Sequence, residues 1–403
     1  MPQYNWIDEV ILQHKELESP LTFWYWAALA TLSAVMKDNI WLDAQLYKVY
    51  PNIYVMLHAM SGLKKGPPIS MSYQIVKAVN NTRIIRGRSS IQGVMKKLGQ
   101  AYSAPGGVVI NKATAYIVAS ELSSSMVEDK AAMDILTDLY DRSYNEGDYE
   151  SLLKGETFKL KDATLTILAG TNAAHSEEFF AKKDIQGGYF ARTFIIYADT
   201  ENAINSLVNP LQNPPNYPLL AEYVREVAKL SGPFEPLYKT EAGEYYHDWY
   251  NNFRRTIKGV TDETGTLGRF GDSVLKVAML LSLAREPVMK IRLDAMQEAI
   301  IECEKLIGHT RRVTMGKKGR SSYANQKVMI IEALYNRDPH AITRAKLMDH
   351  MGYHLNSGEL DEIMKGFHES GKIVTEIRGN VVMYVMPDEV VEGLRDYMAG
   401  KNQ

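Results

Sequence analysis

The chain has 403 residues, 46 Lys and Arg against 48 Asp and Glu, and 45% hydrophobic residues. That length predicts two or three domains, and a charged fraction of 23% excludes a disordered chain. A net charge of −2 excludes a whole-protein field that gathers nucleic acid, and the single cysteine, Cys303, excludes a disulfide framework or cysteine-rich metal site and points to a reducing compartment.

Residues 1–48 read as an N-terminal helical segment. Within it, 21–36 (LTFWYWAALATLSAVM) carries no charge, but its 16 residues fall short of the ~18–20 that a membrane helix needs. Asp8, Glu9, Glu16 and Glu18 stand where a signal peptide would be basic. Ser19-Pro20 opens it as a cap and first turn, so it is expected to be a buried helix, with no membrane partner. Residues 49–208 alternate strands (52–58, 82–85, 113–119, 163–169, 190–197) with helices (68–79 and one running to 102), a pattern that predicts a three-layer α/β domain with a mostly parallel sheet. Residues 209–320 open on the proline-rich 209–218, continue as helices over 218–231, 240–258, 270–285 and 292–310, and end in the basic linker 311–320 (RRVTMGKKGR). In 321–390, helices over 327–334, 343–351 and from Ser357, followed by a hairpin turning at 378–380, predict a winged helix-turn-helix; 391–403 is a tail.

Four stretches carry candidate chemistry. Residues 59–66 (AMSGLKKG) follow a strand and precede a helix, the place where a glycine-rich turn can aim backbone N–H groups at phosphate oxygens. Ser61, Gly62, Lys64, Lys65 and Gly66 would hold the phosphates, with Lys65 in the lysine position. The bare pattern GxxxxGK[ST] is not met: Ala59 and Lys64 replace the two outer glycines, and Gly66 replaces the hydroxyl residue. Glu121 ends the apolar strand of 116–121 (YIVASE), where a carboxylate can orient an attacking water; Ser120 stands where an aspartate usually holds the metal-bound water. Asn172 ends the strand of 164–172, placed to touch a γ-phosphate. Arg192 opens the strand of 190–197, placed to reach a neighbouring subunit's nucleotide or, within its own subunit, Asp184 or Glu178. For nucleic acid, Lys154, Lys159 and Lys161 sit in an expected β-hairpin (LLKGETFKLKD) and Arg378 at the wing tip. The third helix of the winged segment carries Glu359, Asp361, Glu362 and Glu369 against Lys365, which favours a protein contact for that module over a DNA contact.

The stretches SPLTFWYWAALATLSAVM, YPNIYVMLHAMSGLKKGPPI, TAYIVASELSSSM, ATLTILAGTNAAHSEEFF and QGGYFARTFIIY, across roughly residues 18–310, resemble a family of phage and prophage proteins with a RecA/AAA+-like P-loop ATPase core, often beside primase modules. FARTFIIY is also similar to the arginine-finger strand of MCM-type helicases. The resemblance implies a RecA/AAA+-like P-loop ATPase core; with the segments read above, the expected architecture is that core with N-terminal helices, a helical lid region and a C-terminal winged helix. It assigns Lys65 as the Walker A lysine, Glu121 as the Walker B glutamate, Asn172 as the first sensor, Arg192 as the arginine finger and Arg269 as a candidate second sensor. It implies ATP and Mg²⁺ as cofactors, a homo-oligomeric and hexameric ring, single-stranded DNA and other replication proteins as partners, and the cytoplasm, the host's for a phage-encoded chain. The expected function is an ATP-dependent DNA motor, a replicative helicase or helicase-like ATPase. The alternative is a hydrolysis-deficient nucleotide-binding ring that scaffolds or loads replication or recombination proteins, because Gly66 and Ser120 depart from the pattern at the two Mg²⁺-associated positions.

Overall fold

A computed structural model of the chain describes residues 4–87, 90–103, 109–121, 130–141, 148–153, 155–172, 188–204, 211, 214–258, 262, 265–314, 324–351, 357–379 and 381–400. The chain divides into two compact units, residues 1–314 and 315–403. The segments expected at 1–48 and 49–208, and most of 209–320, thus belong to one unit.

The first unit opens with α1 (Trp6–His14) and α2 (Leu21–Met36). Every α2 residue from Phe23 on except Tyr25 is buried. A helix apolar on all sides belongs inside a core, and among the described residues no helix is long and apolar enough to cross a membrane. Hydroxyls key α2 to the layers beneath it. Thr31 Oγ1 lies 2.7 Å from Ser72 Oγ, which lies 2.7 Å from the Tyr116 hydroxyl, and Ser33 Oγ lies 2.7 Å from Thr166 Oγ1.

The helical reading of 1–48 fails after Met36. Residues 40–49 form a hairpin of β1 (Ile40–Asp43) and β2 (Lys48–Val49), with Gln45 turning at φ +69°. The chain then runs through β3 (Tyr54–Ala59), α3 (Gly66–Val79), β4 (Ile84–Arg86), α4 (Ile91–Leu98), the short pair β5 (Tyr102–Ser103) and β6 (Val109–Ile110), β7 (Thr114–Ala119), α5 (Lys130–Tyr140), the hairpin β8 (Asp148–Leu153) and β9 (Glu156–Lys161), β10 (Thr164–Asn172) and β11 (Thr193–Tyr197). Five of these strands make one sheet, all parallel, in the order β11-β3-β10-β7-β4. Alternate residues feed opposite faces, as the strand period requires: Val55, Leu57 and Ala59 join one apolar core, Tyr54 and Met56 the other. This is the α/β arrangement with a parallel sheet that the sequence pattern predicts.

The rest of the unit is α6 (Tyr217–Val227), the short β12 (Gly232–Pro233), which adds to β1, and three helices: α7 (Glu241–Thr256), α8 (Thr266–Arg285) and α9 (Leu293–Thr314). The last runs four residues into the segment expected as a basic linker.

The second unit contains α10 (Ala324–Tyr335), β13 (Ala341–Thr343), α11 (Arg344–Met351), α12 (Ser357–Glu369), β14 (Val374–Arg378), β15 (Val381–Val385) and α13 (Asp388–Gly400). Its sheet has the order β13-β15-β14 and is antiparallel. Leu360, Ile363, Met364 and Phe367 of α12 are buried, on the face their spacing predicts, and Thr343 Oγ1 accepts from Lys346 N at the start of α11. The segment expected as a tail is largely helix α13.

Candidate functional site

The order of the sheet locates a crevice. The strand that follows β3 in the sheet, β4, stands beyond β10 and β7, whereas the strand that follows β10, β11, stands on the other side of β3. The connections after these neighbours run in opposite directions along the sheet, and ligands of open α/β sheets bind outside the carboxyl ends of strands at such a switch point. Asn172 pairs in register with Ala59, so the end of β10 flanks the start of the loop 60–65.

That loop has an ordered shape. Gly62 turns at φ +102°, in the region that favours glycine, and Lys64 at φ +39°. Lys64 N donates to Gly62 O at 2.7 Å, and the Lys64 carbonyl accepts from Ser19 Oγ at 2.7 Å. Ser19, two residues before α2, therefore holds the loop, and Glu18 lies 3.6 Å from the Lys64 amine. Ser61, Gly62, Lys64 and Gly66 are exposed. Lys65 curls back so that its amine donates to Ala59 O at 2.9 Å and Met60 O at 3.0 Å. Partial burial lowers its pKa, opposed by the nearby Glu121 carboxylate. Glu121 is exposed, just past β7. Gly170, near the end of β10, is packed so closely on β7 that a Cβ would stand 2.3 Å from Ser120 O. Lys65, Glu121 and Asn172, more than fifty residues apart in sequence, thus gather at the carboxyl edge of the sheet.

The donor set fits a phosphate better than a metal. Lys65 caps α3, but Pro67 and Pro68 remove two of the N–H groups that the first turn of a helix offers an anion. Gly66 supplies no hydroxyl, Ser120 no carboxylate, and among the described residues no group of three metal-ligating side chains occurs. Any Mg²⁺ here would keep mainly water ligands, with Glu121 as its protein neighbour.

His58, beside Lys65, was not singled out by the sequence. It is buried at the end of β3, its ring 5.8 Å from Tyr197. Burial, with a smaller effect of the Lys65 charge, lowers its pKa to about 4.

The two arginines lie at the opposite edge. Thr193, the first residue of β11, pairs with Tyr54, the first of β3. Five strand steps of ~3.3 Å put that level roughly 16 Å from Ala59. Arg192 was expected to face a neighbouring subunit or to pair with Asp184 or Glu178, both of which lie outside the described residues. It is 8% exposed and ion-paired to Asp141 through Nε (3.1 Å) and Nη2, while Nη1 donates to Gly188 O at 2.9 Å. Gly188, at φ +78°, leaves the space: a Cβ there would meet Arg192 Nη1 at 2.8 Å. Arg269 joins the same carboxylate at 3.4 Å, with 39% of its side chain exposed. Beside them Lys276, buried on α8, donates to Asn52 O at 3.0 Å and Asn52 Oδ1 at 2.7 Å and lies 4.1 Å from the Tyr140 ring centroid. Burial lowers its pKa to about 7, Asp141 and Asp272 opposing. A cavity of about 160 Å³ opens between Tyr47, Asp141, Arg269 and Lys276. Asp141, Asn52 and Lys276 were missed; Lys276 could have been found as the one charge inside the apolar run VLKVAMLL.

The expected nucleic-acid residues are less basic in place than in sequence. The hairpin forms as predicted, but Lys159 is ion-paired across it to Glu150, 3.5 Å away, and Lys161 stands in register opposite Asp148. Lys154 lies outside the described residues. Arg378 donates to Glu376 at 2.8 and 3.0 Å.

No protein-family model matches the chain, and no curated protein sequence matches it.

Proposed function

We propose that the first unit is a P-loop-type, RecA/AAA+-like nucleotide-binding ATPase that works as an oligomeric ring on single-stranded DNA, and that the second unit is a winged helix serving protein contacts. The observation that carries this reading is the joint placement of loop 60–65, Glu121 and Asn172 at the switch point between β3 and β10. Bound there, ATP would supply the phosphoanhydride bond to be cleaved. Lys65 would leave the carbonyls of Ala59 and Met60 to neutralise phosphate charge, Glu121 would orient water, and Asn172 would hydrogen-bond a phosphate oxygen. Arg192 and Arg269, at the other edge, would serve a neighbouring subunit's site.

ATP turnover with and without single-stranded DNA, alongside the mass of the assembly, tests the reading. Lys65→Ala is expected to weaken nucleotide binding and Glu121→Gln to stop turnover while binding persists. Unchanged nucleotide affinity in Lys65→Ala would remove the loop from the proposal. A second reading, a ring that binds nucleotide without hydrolysing it, is favoured by Pro67, Pro68, Gly66 and Ser120, which thin the anion and metal shells. It predicts binding without turnover.

A further inference from the structure

A second concavity lies between the β1–β2 hairpin, the turn at Leu237–Lys239 and helix α7. It opens about 750 Å³, within the ~300–1,000 Å³ of clefts that hold small ligands. Its walls are closely packed. Thr240 caps α7 by accepting from Gly243 N at 3.1 Å, and a Cβ at Gly243 would stand 1.8 Å from Leu237 O, so only glycine lets the helix close on the turn. Tyr246 and Tyr250 stack on each other at 5.8 Å and press on α8 at Gly271, where a Cβ would meet both within 2.8 Å.

The lining has one chemical character. Leu237 and Leu275 give an aliphatic surface, and Tyr238, Tyr246 and Tyr250 give aromatic rings, Tyr238 being 72% exposed. Asp43, Glu244 and Asp248 add three exposed carboxylates, and no lysine or arginine is among the lining residues. Among the described residues neither Glu244 nor Asp248 is ion-paired. Lys239, adjacent in sequence to the lining residue Tyr238, holds its amine 5.3 Å from the Tyr238 ring centroid, so that ring already attracts a cation. Ring faces attract cations through their quadrupole, and carboxylates add charge attraction; phosphates would be repelled.

We propose that this groove is a docking site for a basic peptide segment, its aliphatic side chains on Leu237 and Leu275 and its arginine or lysine heads between the tyrosine faces and Glu244 and Asp248. The occupant follows from charge complementarity, and the proposal is independent of any nucleotide chemistry in the sheet.

The test is fluorescence anisotropy with the full chain and three labelled probes: the peptide Arg-Leu-Arg-Leu-Arg, its glutamate counterpart Glu-Leu-Glu-Leu-Glu, and a thymidine oligonucleotide. Binding of the arginine peptide is expected, weakened about tenfold in Glu244→Gln/Asp248→Asn and again in Tyr238→Ala. All three positions are exposed, so these variants are expected to keep the fold, which circular dichroism checks. No arginine-peptide binding at millimolar concentration, affinity unchanged in all variants, or oligonucleotide binding that these variants abolish would each overturn the proposal.

Discussion

Lys276 places a primary amine at 6% exposure with its hydrogen bonds going to Asn52 rather than to a carboxylate. Asn52 in turn donates to Tyr140 O at 2.9 Å, so the pair joins α8, the start of β3 and the end of α5. The amine's pKa falls from 10.5 unfolded to about 7 folded. Between those values the unfolded chain holds more protons, so stability rises with pH across that window. The urea midpoint of the chain is therefore expected to increase from pH 7 to pH 9.5, and Lys276→Met to flatten that rise even as it leaves Asn52 Oδ1 without its donor. A midpoint that climbs equally in both proteins would assign the slope elsewhere. His58 gives a probe of the loop. Its pKa of about 4 against 6.5 means that stability is full above pH 6.5 and declines as pH drops toward 4. Because the Lys65 charge contributes to the lowering, Lys65→Met is expected to raise the His58 pKa, and nucleotide phosphates on Lys65 to raise it likewise. Proton NMR of the His58 ring across pH 3–7, with and without ATP, measures both; a titration that neither change moves would separate the two residues.

Among the elements, β10 passes close to the end of β7, where a Cβ on Gly170 would stand 2.3 Å from Ser120 O. Gly170→Ala would drive a methyl group against Ser120 O, which is backbone and cannot swing aside. Overpacking of this kind costs about 1–3 kcal/mol, and here it would also displace Glu121. The expected outcome is a lower denaturation midpoint together with a loss of any turnover larger than the loss of nucleotide affinity. Much of this architecture is legible in the sequence: β3, β7 and β10 lie within three residues of their expected bounds, because apolar runs ended by polar residues mark strands locally. The hairpin at 40–49 was read as helix because its strands are only four and two residues long, too short to establish an alternating period. What no local pattern could reveal is pairing. The neighbour of Ala59 is Asn172, and the partner of Arg192 is Asp141, 51 residues away rather than the nearer acids in sequence. Likewise the lysines of the β8–β9 hairpin read as a basic surface until strand register sets Glu150 opposite Lys159 and Asp148 opposite Lys161.

At the scale of the molecule, the groups proposed to bind phosphate and the arginines proposed to answer its charge lie at opposite edges of one sheet, separated by the length of β3. Five parallel strands form a rigid layer, so no side-chain movement brings Arg192 or Arg269 to Lys65 of the same chain. Their joint use requires a head-to-tail contact between copies, which closes into a ring when the rotation allows. The edges differ in readiness. Arg192 is buried on Asp141, and removing it would strip a carboxylate that is itself largely buried, so Arg192→Ala is expected to destabilise the unit. Arg269 shares Asp141 but is more exposed, and Arg269→Ala is the cleaner change. In an equal mixture of Lys65→Ala and Arg269→Ala chains, a competent site needs its own Lys65 from one type and Arg269 from a neighbour of the other. Random assembly gives that pairing at roughly a quarter of the positions in a closed ring. Turnover in the mixture is therefore expected to approach that fraction of the parental rate, while each variant alone stays near zero. If the variants co-assemble by mass and the mixture is as inactive as its components, Arg269 belongs to the fold of its own subunit, and the two edges do not work together.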